Sequence, residues 1–363
     1  MRDRLSGFIR GYAETMDVLS DAVTAVRTGR PHSARVRRPA PFGQRFPAVD
    51  GAGFHVVVQG SCWLYPPDGA PLRLGVGDVA FLPRGAAHAL ADSPSTPLVE
   101  ITAAPSTATS TESGGGARER PGGQGVNRPG RQATDGTGAE TVMLCGAYLL
   151  DGSRSHPLLH DLPEVIHLPA RIARHPGLHA TVELLGAELL QPRPGGDAML
   201  PALLDVLLLQ ILRAWFDERA ADGAATGWAA VLRDPGVAAA LRAIHGDPGR
   251  QWTVGELAGR AALSRAAFAR RFSALVGQPP LAYLTWWRMT LAARLLRDGD
   301  APLATVGRQV GYTSEFAFAH AFKREYGSAP GGFRRTARSG GAGTVPPATG
   351  IHAELGGLTP EPT

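Results

Sequence analysis

Thr253-Val254-Gly255-Glu256-Leu257-Ala258-Gly259-Arg260-Ala261-Ala262-Leu263-Ser264-Arg265-Ala266-Ala267-Phe268-Ala269-Arg270-Arg271-Phe272 decides the reading of this chain, because its pattern returns further on. Ser264, Phe268, Phe272, Gly277 and Pro280 recur as Ser314, Phe318, Phe322, Gly327 and Pro330, each at an offset of fifty residues. Leu257-Ala258 recurs as Val306-Gly307 at forty-nine, so the second copy has gained one residue in its turn. A duplicated two-helix unit accounts for this spacing.

Each copy reads physically as helix-turn-helix. Thr253 and Glu256 make a Thr-x-x-Glu capping box at the head of a short scaffold helix that turns Val254, Leu257, Ala258 and Ala261 inward. After a tight turn, Leu263 plugs the core and Ser264 caps the next helix, whose Phe268, Phe272 and Leu275 or Val276 share one buried face. The opposite face presents Arg265, Ala266, Ala269 and Arg270 near the N-terminus, the end that a recognition helix inserts into the major groove. In the second copy Gly311 permits the turn, Tyr312 plugs the core, and Glu315, Phe316, Ala317 and His320 face outward. Lys323 and Arg324 follow one turn later, suited to phosphates.

Between the copies, Leu284, Trp287, Leu291 and Leu295 predict one continuous helix over Leu281 to Arg297, bounded by Pro280 and by Asp298-Gly299. Its length, roughly 25 Å, suits two recognition helices in successive major-groove segments about 34 Å apart. Charge agrees with this placement. The whole chain carries +5, but residues 235–338 hold fifteen Lys or Arg against six Asp or Glu, a local net of +9.

Residues 235–338 resemble the DNA-binding domain of the AraC/XylS family of bacterial transcription regulators. The resemblance is carried by Leu257-Ala258, Leu263-Ser264-Arg265, Phe268, Arg271-Phe272, Gly277, Pro280, Tyr283, Arg288, Ala292 and Leu295-Leu296, then by Val310-Gly311-Tyr312, Ser314, Phe318, Ala321-Phe322-Lys323, Gly327, Pro330 and Arg334. It implies double-stranded DNA as partner and a contact set of Ser264, Arg265, Ala266, Ala269, Arg270, Arg271, Arg288, Ser314, Glu315, Phe316, His320, Lys323 and Arg324. Arginines 265 and 270 carry most of the hydrogen bonding to bases in this reading, while alanine reaches only a thymine methyl and Glu315 must accept from a cytosine amine.

Short alternating apolar runs at Phe54 to Val58, Leu72 to Val76 and Val79 to Leu82 predict a small β-barrel or jelly roll over residues 36–104. Within it Gly77, Pro83, Gly85 and His88 resemble the second cupin motif, with Asp92 where that motif often has Asn. The first motif departs from the family, since Val57 replaces its second histidine and no glutamate follows. His55 and His88 are too few ligands for a divalent ion, so no metal or other cofactor is expected; they are hydrogen-bonded barrel residues or line a sensor pocket. The layout also resembles the cupin-sensor subgroup of AraC-like regulators, including those that respond to reactive chlorine or other oxidants.

Cys62 and Cys145 are too few for a disulfide framework, which leaves two readings, buried small hydrophobes or a redox switch. Acidic residues interrupt the opening, so no secretory signal is expected and the protein belongs in the cytoplasm. Residues 105–140 and 339–363 are poor in apolar side chains and read as a disordered insertion and tail; basic runs at Arg35 to Arg38 and Arg118 to Arg131 read as solvated loop charge. Pro201 opens a helix apolar on nearly every side through Phe216. It is too short and too interrupted by Asp205, Gln210 and Arg213 to span a membrane, and it either packs on the barrel or pairs with a second subunit.

The expected organisation is α+β and multidomain: an N-terminal extension 1–16, a cupin-like β-barrel sensor with helical connector 17–215, a linker 216–234, an all-α double helix-turn-helix domain 235–338 and the tail. The expected function is sequence-specific transcription regulation. A small molecule or oxidant acts at His55, His88, Cys62 or Cys145, with RNA polymerase and a second copy of the chain as further partners, and no enzyme activity. Two alternatives stand beside it: a metal-dependent cupin enzyme with accessory DNA binding, and a constitutive DNA-binding protein whose barrel only dimerises.

Overall fold

The structure, a computed structural model, describes residues 17–100, 139–150, 156–170, 174–191, 193–221, 223 and 226–340. The expected extension 1–16, the insertion up to residue 138 with its arginines 118–131, and the tail beyond residue 340 lie outside the described residues.

The N-terminal half opens with helix α1 (Val18–Val26), capped where Asp17 accepts from the Leu19 amide at 2.8 Å. Strands β1 (His32–Pro39), β2 (Gly43–Phe46), β3 (Ala52–Gln59), β4 (Cys62–Tyr65), β5 (Leu72–Leu74), β6 (Val79–Leu82), β7 (His88–Ala91), β8 (Val99–Glu100), β9 (Glu140–Tyr148) and β10 (Ile166–Leu168) follow. They form two five-stranded sheets, ordered β1-β9-β3-β6-β10 and β5-β4-β7-β2-β8. The expected barrel is therefore not closed. Among the described residues no strand of one sheet pairs with the other, and strands of two to four residues in the second sheet are too short to tilt and stagger around a closed barrel. Two sheets packed face to face are the jelly-roll alternative.

The first sheet is buried on both faces. Val57, Ala80 and Met143 meet Leu64, Leu74 and Leu90 of the second sheet, whereas Phe54, Val56, Phe81 and Leu144 face helices on the other side. This explains the uninterrupted apolar run of β6. Helix α2 (Pro157–His160) precedes β10, and helices α3 (Pro176–Leu190) and α4 (Gly196–Ala221) form a hairpin on the outer face. α4 begins before the expected start and keeps Pro201 inside it, because burial of Leu204, Leu207, Leu208, Ile211 and Leu212 outweighs the lost backbone bond. It also runs past residue 215, where the sequence placed the end of the sensor. With 26 residues it is long and apolar enough to cross a bilayer, contrary to the sequence reading, while Leu204, Leu207, Leu208, Ile211 and Leu212 pack into the core. Leu184, Leu190, Met199 and Val206 remain exposed on the far side of the hairpin.

After α5 (Gly227–Val231), the C-terminal half is all helical: α6 (Pro235–Gly246), α7 (Val254–Arg260), α8 (Arg265–Val276), α9 (Pro280–Asp298), α10 (Leu303–Gln309), α11 (Glu315–Tyr326) and α12 (Pro330–Gly340). The capping box forms, with Thr253 Oγ1 accepting from the Glu256 amide at 3.2 Å and Glu256 Oε2 from the Thr253 amide at 2.8 Å. Ser264 and Ser314 cap α8 and α11 by accepting from the amides of Ala267 and Ala317 at 3.3 and 3.4 Å. Gly277 and Gly327 end these helices in the left-handed region at φ 83° and 71°.

The turns differ in chemistry. Gly311 takes φ 87°, and Ala262, its counterpart in the first unit, takes φ 52°. A side chain in the left-handed region costs about 1–2 kcal/mol, so the first unit carries strain that the second avoids. Ala262→Gly is expected to raise stability by about 0.5–1 kcal/mol in urea unfolding, because relief of strain exceeds the added unfolded-state entropy. A loss of stability would show that the alanine methyl is held by packing.

Candidate functional site

On α8, Arg265, Ala266 and Arg270 are exposed and Ala269 is half-buried. On α11, Glu315, His320, Lys323 and Arg324 are exposed with the capping Ser314, and Phe316 stands 81% exposed. Each unit thus turns one pair of phenylalanines inward, with Phe268, Phe272, Phe318 and Phe322 fully buried, and leaves its N-terminal face outward. Arg271 lies at the side of this face and pairs with Asp234, which also caps α6 by accepting from the Val237 amide at 2.8 Å.

Arg288 is a correction to the expected contact set. It is 8% exposed, and its guanidinium donates from Nε to the Pro248 carbonyl at 2.7 Å and from Nη2 to the Arg250 carbonyl at 2.8 Å. The same group lies over the Tyr312 ring at 5.9 Å, and a Cβ at Gly311 would fall 2.7 Å from Nη2. Gly311 is thus required twice, for its backbone angle and for the passage of Arg288. Gln251 adds a bond to the Gly311 carbonyl at 2.6 Å. Arg288 therefore fastens the loop before α7 to the turn of the second unit.

The sandwich brings together three of the four residues expected to receive a signal. His55 and Cys145 are direct partners across β3 and β9, on the side that faces the second sheet. Cys145 Sγ lies 3.1 Å from His55 Nδ1, His55 Nε2 lies 2.8 Å from His88 Nε2, and His88 Nδ1 lies 2.9 Å from the Ala86 carbonyl. A carbonyl only accepts, so His88 carries its hydrogen on Nδ1. With neutral rings, His88 Nε2 then accepts from His55 Nε2–H, and His55 Nδ1 accepts the thiol hydrogen of Cys145. Phe46, opposite His88 in the register of β2 and β7, stacks on it at 4.9 Å and 5°. Neither Phe46 nor the Ala86 carbonyl was visible as a site residue, since both enter through strand register and turn geometry.

Burial keeps this chain neutral. It pushes the Cys145 thiol up to about 12, with Cys62 adding to the effect and Arg38 opposing it. It lowers His55 well below the ordinary 6.5, helped by His88, and lowers His88 as well. Cys62 stands apart from the hydrogen-bonded chain. Its Sγ lies 3.8 Å from Met143 Sδ in an apolar cluster with Leu64, Leu74 and Leu90, and burial followed by Asp78 pushes it up to about 12.

A cupin metal centre needs donors that converge on one point. The two ring nitrogens of His55 point to different partners, no carboxylate joins them, and no group of three His, Cys, Asp or Glu able to hold an ion occurs among the described residues. Asp92, at the motif's Asn position, instead braces a loop by accepting from the Phe42 amide at 3.1 Å and Thr96 Oγ1 at 2.7 Å. The donor set does not fit the family's metal.

Fold and site together define a class, a helix-turn-helix pair carried behind a cupin sandwich. Residues 17–217 match the cupin family, and residues 257–336 match a helix-turn-helix domain family. A putative AraC-like transcription regulator of Streptomyces antibioticus is 36% identical over 321 residues, covering 88% of this chain and 99% of the relative. The RCS-specific HTH-type transcriptional activator RclR of Escherichia coli strain K12 is 27% identical over 287 residues, covering 78% of this chain and 84% of RclR. Among solved structures, the DNA-binding domain of AdpA in complex with a target DNA is 35% identical, covering 29% of this chain and 95% of that chain at a TM-score of 0.28. The chain belongs to the AraC-like family of DNA-binding transcription regulators.

Arg288→Ala leaves two carbonyls without their donor and is expected to cost about 1–3 kcal/mol in urea unfolding. It should also weaken binding to a paired half-site duplex more than to a single half-site, whereas an equal loss on both would show that it contacts DNA directly. His55, His88, His156 and His245 are all held below the ordinary 6.5 by burial. The unfolded chain therefore takes up protons that the folded chain refuses, so stability is full above about pH 6.5 and is lost as pH falls toward the folded values. Tm should fall on acidification from neutral pH, and a flat or rising Tm would contradict the neutral assignment.

Proposed function

We propose that this chain is a sequence-specific transcription regulator whose cupin half receives a small-molecule or oxidant signal at Cys145, His55 and His88. The observation that carries the reading is the hydrogen-bonded chain from a thiol through two imidazoles, buried between sheets in the half that holds no recognition helix. On the DNA side, Arg265 and Arg270 are the readers of guanine edges, Ala266 and Ala269 meet thymine methyls, and Glu315 accepts from cytosine. Lys323 and Arg324 contact phosphates. The local charge of +9 over residues 235–338 supports this division of labour. As a reader of chromosomal DNA the protein acts in the cytoplasm and affects RNA polymerase at a promoter.

Oxidation is one form of the signal, and it requires His55 to take the thiol proton, since burial keeps Cys145 protonated. Hydrogen peroxide converts the Cys145 thiol to a sulfenic acid and is itself reduced to water, a two-electron exchange. The added oxygen must fit where Sγ lies 3.1 Å from His55, so the chain of hydrogen bonds has to rearrange. A small molecule bound between the sheets would act on the same bonds by replacing His88 as partner. The enzyme reading is weaker because the donors do not converge on a metal.

Fluorescence anisotropy on the protein's own upstream DNA tests both halves. Arg265→Ala and Arg270→Ala are each expected to weaken binding by about 1–3 kcal/mol. Mild peroxide should change the affinity of the wild type and of Cys62→Ser but leave Cys145→Ser unmoved. Equal affinity before and after oxidant in all three would remove the thiol from the mechanism and leave the small-molecule reading.

A further inference from the structure

The first recognition unit shares its core with the sensor half, and the second does not. Val18, Leu19, Ala22 and Ala25 of α1 lie in one buried cluster with Leu241 and Ile244 of α6 and Tyr283 of α9. Val306, Phe318 and Phe322 of the second unit form a separate cluster on the far half of α9.

A second chain of hydrogen bonds runs through the shared layer. His245 Nδ1 lies 3.0 Å from Asp21 Oδ2, His245 Nε2 lies 2.8 Å from the Tyr283 hydroxyl, and that hydroxyl lies 3.4 Å from His156 Nε2. The Leu158 amide donates to His156 Nδ1 at 3.0 Å, so His156 carries its hydrogen on Nε2 and donates to Tyr283. Tyr283 then donates to His245, and His245 donates from Nδ1 to the Asp21 carboxylate. The side chains of His245 and Asp21 are 1% and 3% exposed. Trp287 stacks on His245 at 3.8 Å, and Trp228 and Trp286 stand edge-on to His156 at 4.8 and 4.9 Å.

Two residues of the DNA-binding half are clamped between two of the sensor half, Asp21 on α1 and His156 at the head of α2. Such a layer is expensive. Taking a carboxylate out of water is costly, and the buried indole N–H groups of Trp228 and Trp287 find no acceptor. Apolar side chains of the same volume would hold the two halves together at lower cost. A directional chain does something they cannot: it fixes one relative pose and loses it as a unit when one link is broken.

A run of contacts links this chain to β9, the strand that carries Cys145. Three residues beyond Cys145, the Tyr148 hydroxyl donates to the Leu204 carbonyl of α4 at 2.8 Å. The next residue, Asp205, pairs with Arg27 at the end of α1, and α1 carries Asp21. We propose that Asp21, His245, Tyr283 and His156 form an interdomain latch, which holds the first helix-turn-helix unit in the pose set by the sensor half and which the signal opens or closes. The latch rests on the DNA-binding reading above for its output.

Hydrogen exchange on the full chain, with DNA anisotropy beside it, tests the latch in the wild type, Tyr283→Phe and Asp21→Ala. The first variant removes only the central hydroxyl, and the second removes the carboxylate while keeping a good helix former. In both, exchange of residues 18–26 and 235–246 should quicken at least tenfold while the strands keep their protection, and affinity for the upstream DNA should change at least threefold. Unchanged exchange in α1 would overturn the latch outright. Faster exchange with unchanged DNA affinity would overturn it as a switch and leave a structural contact. Failure of the wild type itself to bind DNA would overturn the DNA-binding reading instead, a result that the exchange data separate from failure of the latch contacts.

Discussion

Everything in the C-terminal half depends on the burial of α9. Between Tyr283 and Arg297 this helix has no fully exposed residue, because the first unit and the N-terminal half cover one end and the second unit covers the other. A surface helix keeps one apolar stripe; a helix wrapped on all sides becomes a spine to which each unit is bonded separately. Even its polar groups serve the spine, with Thr290 donating to the Trp286 carbonyl at 3.0 Å and Arg288 reaching out to both units. The two recognition helices are therefore held at a fixed spacing and phase.

The C-terminal half was legible because its signals are local. A capping box, two capping serines and two terminating glycines each act within one turn of helix, and the phenylalanine pairs repeat at helical spacing. Arg288 was misplaced for the same reason. Its residue type suggests phosphate, but its partners are carbonyls about forty residues away in sequence, which no local pattern records. Ala262 was within reach, since it aligns with Gly311 at the scaffold's offset of forty-nine.

The N-terminal half was legible in kind rather than in detail. Alternation located β3, β5 and β6, but closure of a barrel depends on which edges pair, and that is a non-local property. The helix α3 was missed although Leu178, Val182, Leu185 and Leu189 mark one face of it. The meeting of Cys145 with His55 needs the register of strands ninety residues apart. The two histidines were singled out by a motif, and the register gave them a partner that the motif does not contain.

The two buried polar chains share a logic that separates them from ordinary core contacts. In each, one end is fixed by a backbone group, Ala86 for the first and the Leu158 amide for the second, and that end determines every hydrogen along the chain. A change at one link therefore cannot be absorbed locally. The rigid spine gives such a change a long lever. A rotation of the first unit by about 10° moves the far end of a nineteen-residue helix, roughly 28 Å away, by about 5 Å. That is about two-fifths of the width of a major groove, so a modest change of pose at the unit that touches the N-terminal half displaces the other unit on the scale of groove contacts. A movement of the first unit is thereby carried to the second, and only the first shares its core with the N-terminal half.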